Sequence, residues 1–128
     1  MKPLKEFTIP FVGLKIGTHH YDYNIEKSFF DYFEYEDFND TVINVDVVLV
    51  KNSTLLELNF KISGTVNVNC DVTNEPFDQS ISNEFDLVVN FGDAYNDENI
   101  DILILPHGAY EINIQQYIYE LIVLAVPI

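Results

Sequence analysis

The chain has 128 residues, of which 48% are hydrophobic and 14% aromatic, and its formal net charge is −15. This apolar content is sufficient for a core and excludes a disordered acidic tail, so we predict that residues 1–128 form one domain. The six basic residues are all lysines and stand against 21 acidic ones, which argues against direct binding of phosphate backbones. Such a protein is repelled by nucleic acid and anionic membrane and attracted to basic proteins; the alternative is that its charge serves solubility alone.

The single cysteine and the ends of the chain indicate the compartment. Cys70 has no partner for an intrachain disulfide, which suits a reducing environment. Residues 1–6 are too polar for a secretory signal, and the longest apolar run, residues 121–128, is too short to cross a bilayer. We therefore expect a soluble cytoplasmic protein that has no membrane partner.

The first part of the chain predicts extended segments and one short helix. Apolar residues alternate with polar ones over residues 4–25, but the phase changes near Gly13 and Gly17, which predicts turns or bulges there. A cluster of phenylalanines at helical spacing predicts a short amphipathic helix near 26–36. Residues 42–51, rich in Val and Ile, predict a strand.

The longest regular pattern runs from Leu56 to Val72, where every even-numbered residue except Gly64 is apolar or cysteine. Strict alternation predicts an extended chain with one buried and one solvated face. Because this span exceeds the usual strand length, we expect a bend at Gly64. The half before Gly64 would then pair with the preceding segment and the half after it with the following one.

The last part of the chain predicts two further strands and a helix. Residues 81–91 alternate as a half-buried strand, and residues 100–104 form a short strand after an acidic loop. Apolar residues at helical spacing predict a helix over 113–125, capped by Asn113 with Gln116. These elements indicate an α+β fold, mostly an antiparallel curved sheet or a partly closed β-barrel.

Metal and nucleic-acid sites are poorly supported by the sequence. His19 and His20 are adjacent in a predicted strand and would point to opposite faces, so with His107 they do not suggest a chelating set. The acidic segments 31–40 and 93–101 lack the spacing of a calcium-binding EF-hand loop. We expect no metal and no other cofactor. The tyrosines, with no cations beside them, are expected to pack rather than to stack on bases; they are Tyr21, Tyr23, Tyr32 and Tyr35.

Cys70 is the one candidate nucleophile, and a hydrolase that uses it is the enzymatic alternative. It falls on the apolar face of the predicted ribbon, where a thiol is usually a small hydrophobic group with a high pKa. We therefore expect a structural cysteine and no enzymatic activity.

A string of residues that begins within this ribbon resembles the signature of the YceD-like family, the large ribosomal RNA subunit accumulation proteins. The likeness continues through the predicted strand near residue 87 and ends in the Leu-Ala-x-Pro sequence of residues 124–127. The opening residues 9–17 are similar to one bacterial branch of that family. The motif residues that carry the resemblance most strongly are Gly64, Cys70, Asp71, Thr73, Glu75 and Pro76.

The resemblance implies a role in accumulation or processing of the large-subunit ribosomal RNA, in bacteria and plastids. Members are often encoded beside a small basic ribosomal protein, and no enzymatic activity is established for the family. Many members have a second cysteine where this chain has Thr73, and a tail with His and Cys beyond the final proline. A metal site of such relatives is therefore not expected here, and the chain is expected to lack a C-terminal tail.

Charge and resemblance together suggest a hypothesis. We expect a non-enzymatic assembly or accumulation factor whose acidic surface binds a basic ribosomal protein or assembly factor of the large subunit, with ribosomal RNA contacted indirectly. The alternative is direct recognition of ribosomal RNA through surface tyrosines and lysines. The family motif is expected to shape a turn in which Asp71 and Asn74 bond to local backbone. The residues expected to dock the partner, here called the docking acids, are Asp31, Glu34, Glu36, Asp37, Asp93, Asp97 and Glu98.

Overall fold

The computed structural model describes residues 4–127. They form seven strands and two α-helices, with short 3₁₀ turns near residues 5–7 and 11–13. The elements in chain order are β1 (Thr8–Ile9), β2 (Gly17–Ile25), α1 (Lys27–Asp31), β3 (Asp40–Lys51), β4 (Leu56–Asn69), β5 (Pro76–Gly92), β6 (Ile102–Pro106), β7 (Ile112–Asn113) and α2 (Gln115–Ala125).

Five of the strands form one sheet in the order β2-β3-β4-β5-β6, and β1 pairs with β7 in a separate two-stranded sheet. Every neighbouring pair is antiparallel except β5 and β6, which run parallel. The predicted α+β class with a mostly antiparallel sheet is therefore confirmed. The larger sheet is open, with β2 and β6 at its edges, so a partly closed barrel is not confirmed.

The expected division of the long ribbon at Gly64 is wrong. β4 pairs with β3 from Leu56 to Asn67 and with β5 over its whole length, so both halves have both neighbours. The strand ends at Asn69, and Val72 lies 91% exposed in the turn that follows. Gly64 is nevertheless special, because its φ of 152° is a backbone conformation that side chains disfavour.

Alternation gives the sheet a buried face and a face open to solvent, here called the open face. In β3 the odd-numbered residues from Thr41 to Leu49 are buried, and in β4 the even-numbered ones from Leu56 to Ile62 are buried. The open face carries polar residues such as Asp46, Lys61 and Glu84. Both helices belong to the buried side, so any groove they form lies opposite the open face.

The C-terminal helix α2 packs on β4 and β5 and joins the N-terminal segment to the core. Its beginning is fixed by Asn113, whose side-chain oxygen accepts a bond from the backbone N–H of Gln115 at 3.0 Å. The Asn113 amide donates at 2.9 Å to the carbonyl of Leu4 and to the hydroxyl of Thr8. Gln115 is buried and accepts from the backbone N–H of Leu4. The helix begins at Gln115, with Ile114 as its N-cap and no side-chain bond from that cap. The predicted capping pair is therefore wrong: Asn113 bonds to the Gln115 N–H from the position before the cap, and Gln116 bonds to Glu120.

The predicted short helix near 26–36 is present as α1, which ends at Asp31 and is followed by a turn with Glu34 at φ 55°. The turn packs against α2: the rings of Phe33 and Tyr119 stack with centroids 4.0 Å apart. Phe30 is fully buried and meets Phe38 edge to face at 5.0 Å. No described helix has the length and apolar character needed to cross a membrane.

Candidate functional site

A cavity of about 540 Å³ lies beside α2, where the strands β5 and β6 meet the loop that joins them. We call it the acidic groove, because its lining is apolar while its rim carries carboxylates. Strands contribute Phe85, Leu103 and Leu105 to the lining, and α2 contributes Tyr117, Leu121 and Leu124. The carboxylates at its rim, all of them exposed, are Asp97, Glu98, Glu111 and Glu120.

Tyr117 lines the groove, and its pKa reflects both its burial and the negative charges nearby. Its ring stacks near that of Phe60, with centroids 6.0 Å apart, and near that of Phe85 at 6.2 Å. Burial, followed by the fields of Tyr95, Asp97 and Glu120, raises the pKa of Tyr117 to about 12. The hydroxyl is thus held neutral in a negative environment.

The rim carboxylates are bonded only to neutral groups in the contacts that the structure describes. Tyr95 donates its hydroxyl to Asp97 Oδ2 at 3.3 Å, and the Gln116 amide donates to Glu120 Oε1 at 3.1 Å. No lysine of residues 4–127 lines the groove. Among these described residues, therefore, no lysine at the groove compensates its negative charge.

A second cavity, of about 730 Å³, adjoins the turn between β4 and β5, and we call it the turn pocket. It contains Glu36 and Asp37 on one side and Cys70 and Asp71 on the other, with Val126 at its edge. The turn is closed by two bonds of 2.8 Å, from the Cys70 N–H to the carbonyl of Glu75 and from the Asn74 N–H to the carbonyl of Cys70.

Apart from Gly64, which lies within β4, the family motif lies in and beside this turn, with a different set of contacts from the expected one. Asn74 takes a left-handed backbone conformation, φ 61°, which asparagine tolerates well. The Thr73 hydroxyl accepts a bond from the Glu75 N–H at 3.3 Å. The expected side-chain bonds of Asp71 and Asn74 to local backbone are not found within the described residues, and Pro76 begins β5.

The expected high pKa of Cys70 is wrong. The thiol is half-buried at the end of the ribbon, and three donors in the turn lower its pKa. The strongest is the backbone N–H of Thr73, followed by the Thr73 hydroxyl and the backbone N–H of Val72. Burial and the charge of Asp71 oppose this shift without cancelling it. No His is among the residues that line the turn pocket, so the geometry offers Cys70 no histidine as a general base there.

The docking acids are all exposed, but the structure does not gather them into one site. Asp97 and Glu98 lie at the acidic groove, and Glu36 and Asp37 at the turn pocket. Asp93 lies 3.7 Å from His107 in an exposed pair. The remaining two docking acids, Asp31 and Glu34, line neither cavity.

The histidines and tyrosines are placed largely as their positions in the sequence suggest. His19 is half-buried, with Nε2 2.7 Å from the carbonyl of Lys15, whereas His20 is exposed on the open face. No cluster of three or more metal-binding side chains occurs among the described residues. The ring of Tyr23 stacks on Phe7 at 4.8 Å, and Tyr35 packs on Phe38 at 4.9 Å. These aromatic faces are used in packing.

One known protein family matches the part of the chain that contains this groove. The family described as "Large ribosomal RNA subunit accumulation protein YceD" matches residues 58–128. The chain belongs to this family. The matched residues of the YceD family include the whole acidic groove and the β4–β5 turn, whereas the similarity of residues 9–17 lies outside the match. No curated protein and no solved structure gave a match.

Sequence reasoning missed half of the groove. Glu111 and Glu120 are not among the docking acids, and the sequence analysis predicts no apolar cavity beside them. Helical spacing offered one signal, since Gln116, Glu120 and Leu124 recur every four residues on one side of the predicted helix. No local pattern indicates that the loop at Asp97 folds over that same side.

Proposed function

We propose that this YceD-family chain is a non-enzymatic factor in large-subunit ribosomal RNA accumulation that binds a basic ribosomal protein or assembly factor. The family description supports the link to large-subunit ribosomal RNA. The observation that carries the mechanism is the acidic groove, whose four rim carboxylates meet no lysine of the chain among the described residues. Lys and Arg of a partner would supply the missing charge.

The positions of Lys51 and Lys61 disfavour direct RNA binding. Lys51 donates to the carbonyls of Phe11 and Leu14 at 2.9 and 2.7 Å, so its ammonium group is occupied within the fold. Lys61 lies on the open face in register with Asp46 and Glu84. Lysines in these positions offer little for phosphate neutralisation. RNA would then be reached through the partner.

A pull-down from cells that express the tagged protein tests the proposal, with and without ribonuclease. We expect a basic large-subunit protein to remain bound after RNA digestion, because the contact is between proteins. The double variant Asp97→Lys with Glu98→Lys should lose this partner, since it reverses the charge at the groove rim.

A matched control has the same charge change on the other side of the sheet, at Asp22→Lys with Glu57→Lys. Both residues are exposed on the open face, and this variant should keep the partner. Loss of every partner on RNA digestion would contradict the proposal and favour direct RNA recognition. Equal losses in the two double variants would show that only total charge matters.

A further inference from the structure

We infer that the acidic groove binds a basic segment of the partner protein by taking one of its apolar side chains between Tyr117 and Leu124. This inference rests on the proposed function, because it specifies how the basic partner is held. It assigns two parts to the binding site, an apolar pocket for the anchor and a carboxylate rim for the flanking cations.

The apolar part of the groove is unusually exposed. Leu124 is 78% exposed, Ile100 84% and Tyr95 58%, and all three line this one cavity. Exposed apolar side chains are ordinary when scattered, but a contiguous group in a concave site marks a binding surface. An apolar side chain seated there would remove these groups and itself from water.

The carboxylates at the rim favour a partner segment that is positively charged. Asp97 and Glu98 lie on the loop between β5 and β6, Glu111 just before β7 and Glu120 on α2, so carboxylates from three separate segments line the groove. An anionic ligand would be repelled by them, whereas Lys or Arg next to the anchor would be attracted. The raised pKa of Tyr117 agrees with this field.

Two fluorescently labelled peptides of equal length and equal lysine content provide the test. The first has leucines at its centre, flanked by lysines, and the second has serines in their place. We expect the leucine peptide to bind about tenfold more tightly or better by fluorescence anisotropy, because one buried leucine contributes roughly that factor.

Two variants of the full chain locate the anchor. Leu124→Ser should abolish the preference for the leucine peptide, since it removes an apolar wall without adding charge. Val42→Ser is the control: Val42 is 70% exposed on the open face, and the preference should survive there. Both positions are exposed enough for the variants to fold.

The outcomes separate this inference from the proposal on which it rests. If both peptides bind equally, and both weaken with Asp97→Asn and Glu98→Gln, the apolar anchor is wrong while electrostatic docking stands. A preference that persists in Leu124→Ser would also overturn the anchor. If neither peptide binds, the inference fails and the docking of a basic protein is contradicted with it.

Discussion

Gly64 in β4 lies directly against the backbone of Val42 in β3. A Cβ atom on Gly64 would overlap the carbonyl oxygen of Val42 and would come within 2.8 Å of the Cα atom of Ile43. The φ of 152° at Gly64 is also strained for any residue with a side chain. Only glycine lets these two strands stay in register at this point, which holds the full length of β4 between its neighbours.

Gly64→Ala should therefore destabilise the protein by about 2 kcal/mol or more, since both strain and overlap with backbone oppose the new methyl group. Urea unfolding measures this loss. Gly108→Ala is the control, because no atom lies within 4 Å of the Cβ position there and its φ is not in the positive region. That change should stay within about 0.5 kcal/mol. Similar losses at the two sites would contradict this account of Gly64.

Asp46 on the open face tests how two carboxyl groups on neighbouring strands interact. It lies opposite Asp22 in the β2–β3 register, and the main cause of its raised pKa is the hydrogen bond that protonated Asp46 donates to the Asp22 carboxylate, with Lys61 opposing the shift. A raised carboxyl pKa means that the folded state holds the proton more tightly than the unfolded one. This contribution to stability is present at low pH and is lost as the pH rises through the folded pKa.

Asp46→Asn should then raise the urea midpoint at pH 7, because the amide keeps a hydrogen bond to Asp22 without a shared proton. The gain should shrink as the pH is lowered, because Asp46 then becomes protonated and can donate the same hydrogen bond itself. Asp71→Asn, in the exposed β4–β5 turn, removes the same unit of charge and should leave the midpoint nearly unchanged. A gain of equal size there would show that net charge alone is responsible.

Local periodicity in the sequence predicts the strands themselves, but it does not predict which strands pair with one another. Alternation between Leu56 and Ile62 predicts a half-buried strand, and the structure has one. The same pattern led to a wrong pairing at Gly64, because a glycine at a close approach of two strands looks like a glycine at a bend. The parallel pairing of β5 with β6 has no local signature either, since it depends on the path of the loop between them.

The acidic groove is likewise only partly predictable, because its residues are visible in the sequence but their proximity depends on the fold. Asp97 and Glu98 are visible in the sequence as an acidic loop, and Glu120 as an exposed helical position. Their convergence on one groove follows from tertiary packing. The lowered pKa of Cys70 was missed for a similar reason, because the donors that surround its sulfur come from the turn geometry.

Tyr23 and Tyr117 predict how the protein responds to alkali. Burial is the first cause at both, and each has a pKa of about 12 against an ordinary value near 10. The unfolded chain therefore loses these protons first as the pH rises. Stability from the two phenols is complete below about pH 10 and is lost as the pH approaches 12.

The urea midpoint should consequently fall between pH 10 and 12, and Tyr23→Phe with Tyr117→Phe should flatten that fall, since phenylalanine keeps the ring and cannot ionise. Ultraviolet difference spectra of the unmodified protein should show tyrosines that ionise late, and the double variant should lack that component. An unchanged slope in the double variant would assign the alkaline loss to other groups.

Thr73, in the turn between β4 and β5, offers the last test. Its N–H and hydroxyl are the two strongest causes of the lowered pKa of Cys70, so the thiolate should be more populated near neutral pH than in an ordinary cysteine. The rate of alkylation by iodoacetamide, measured against pH, should reach its midpoint below the usual value near 8.5. Thr73→Val removes the hydroxyl donor and should move this midpoint upward, whereas Thr54→Val, in the loop between β3 and β4, should leave it in place.

A reactive thiol with no histidine base in its pocket is expected to be alkylated and not to turn over substrate. The Cys70→Ser variant should therefore still bind the partner in the pull-down. Loss of the partner in this variant would favour the enzymatic alternative.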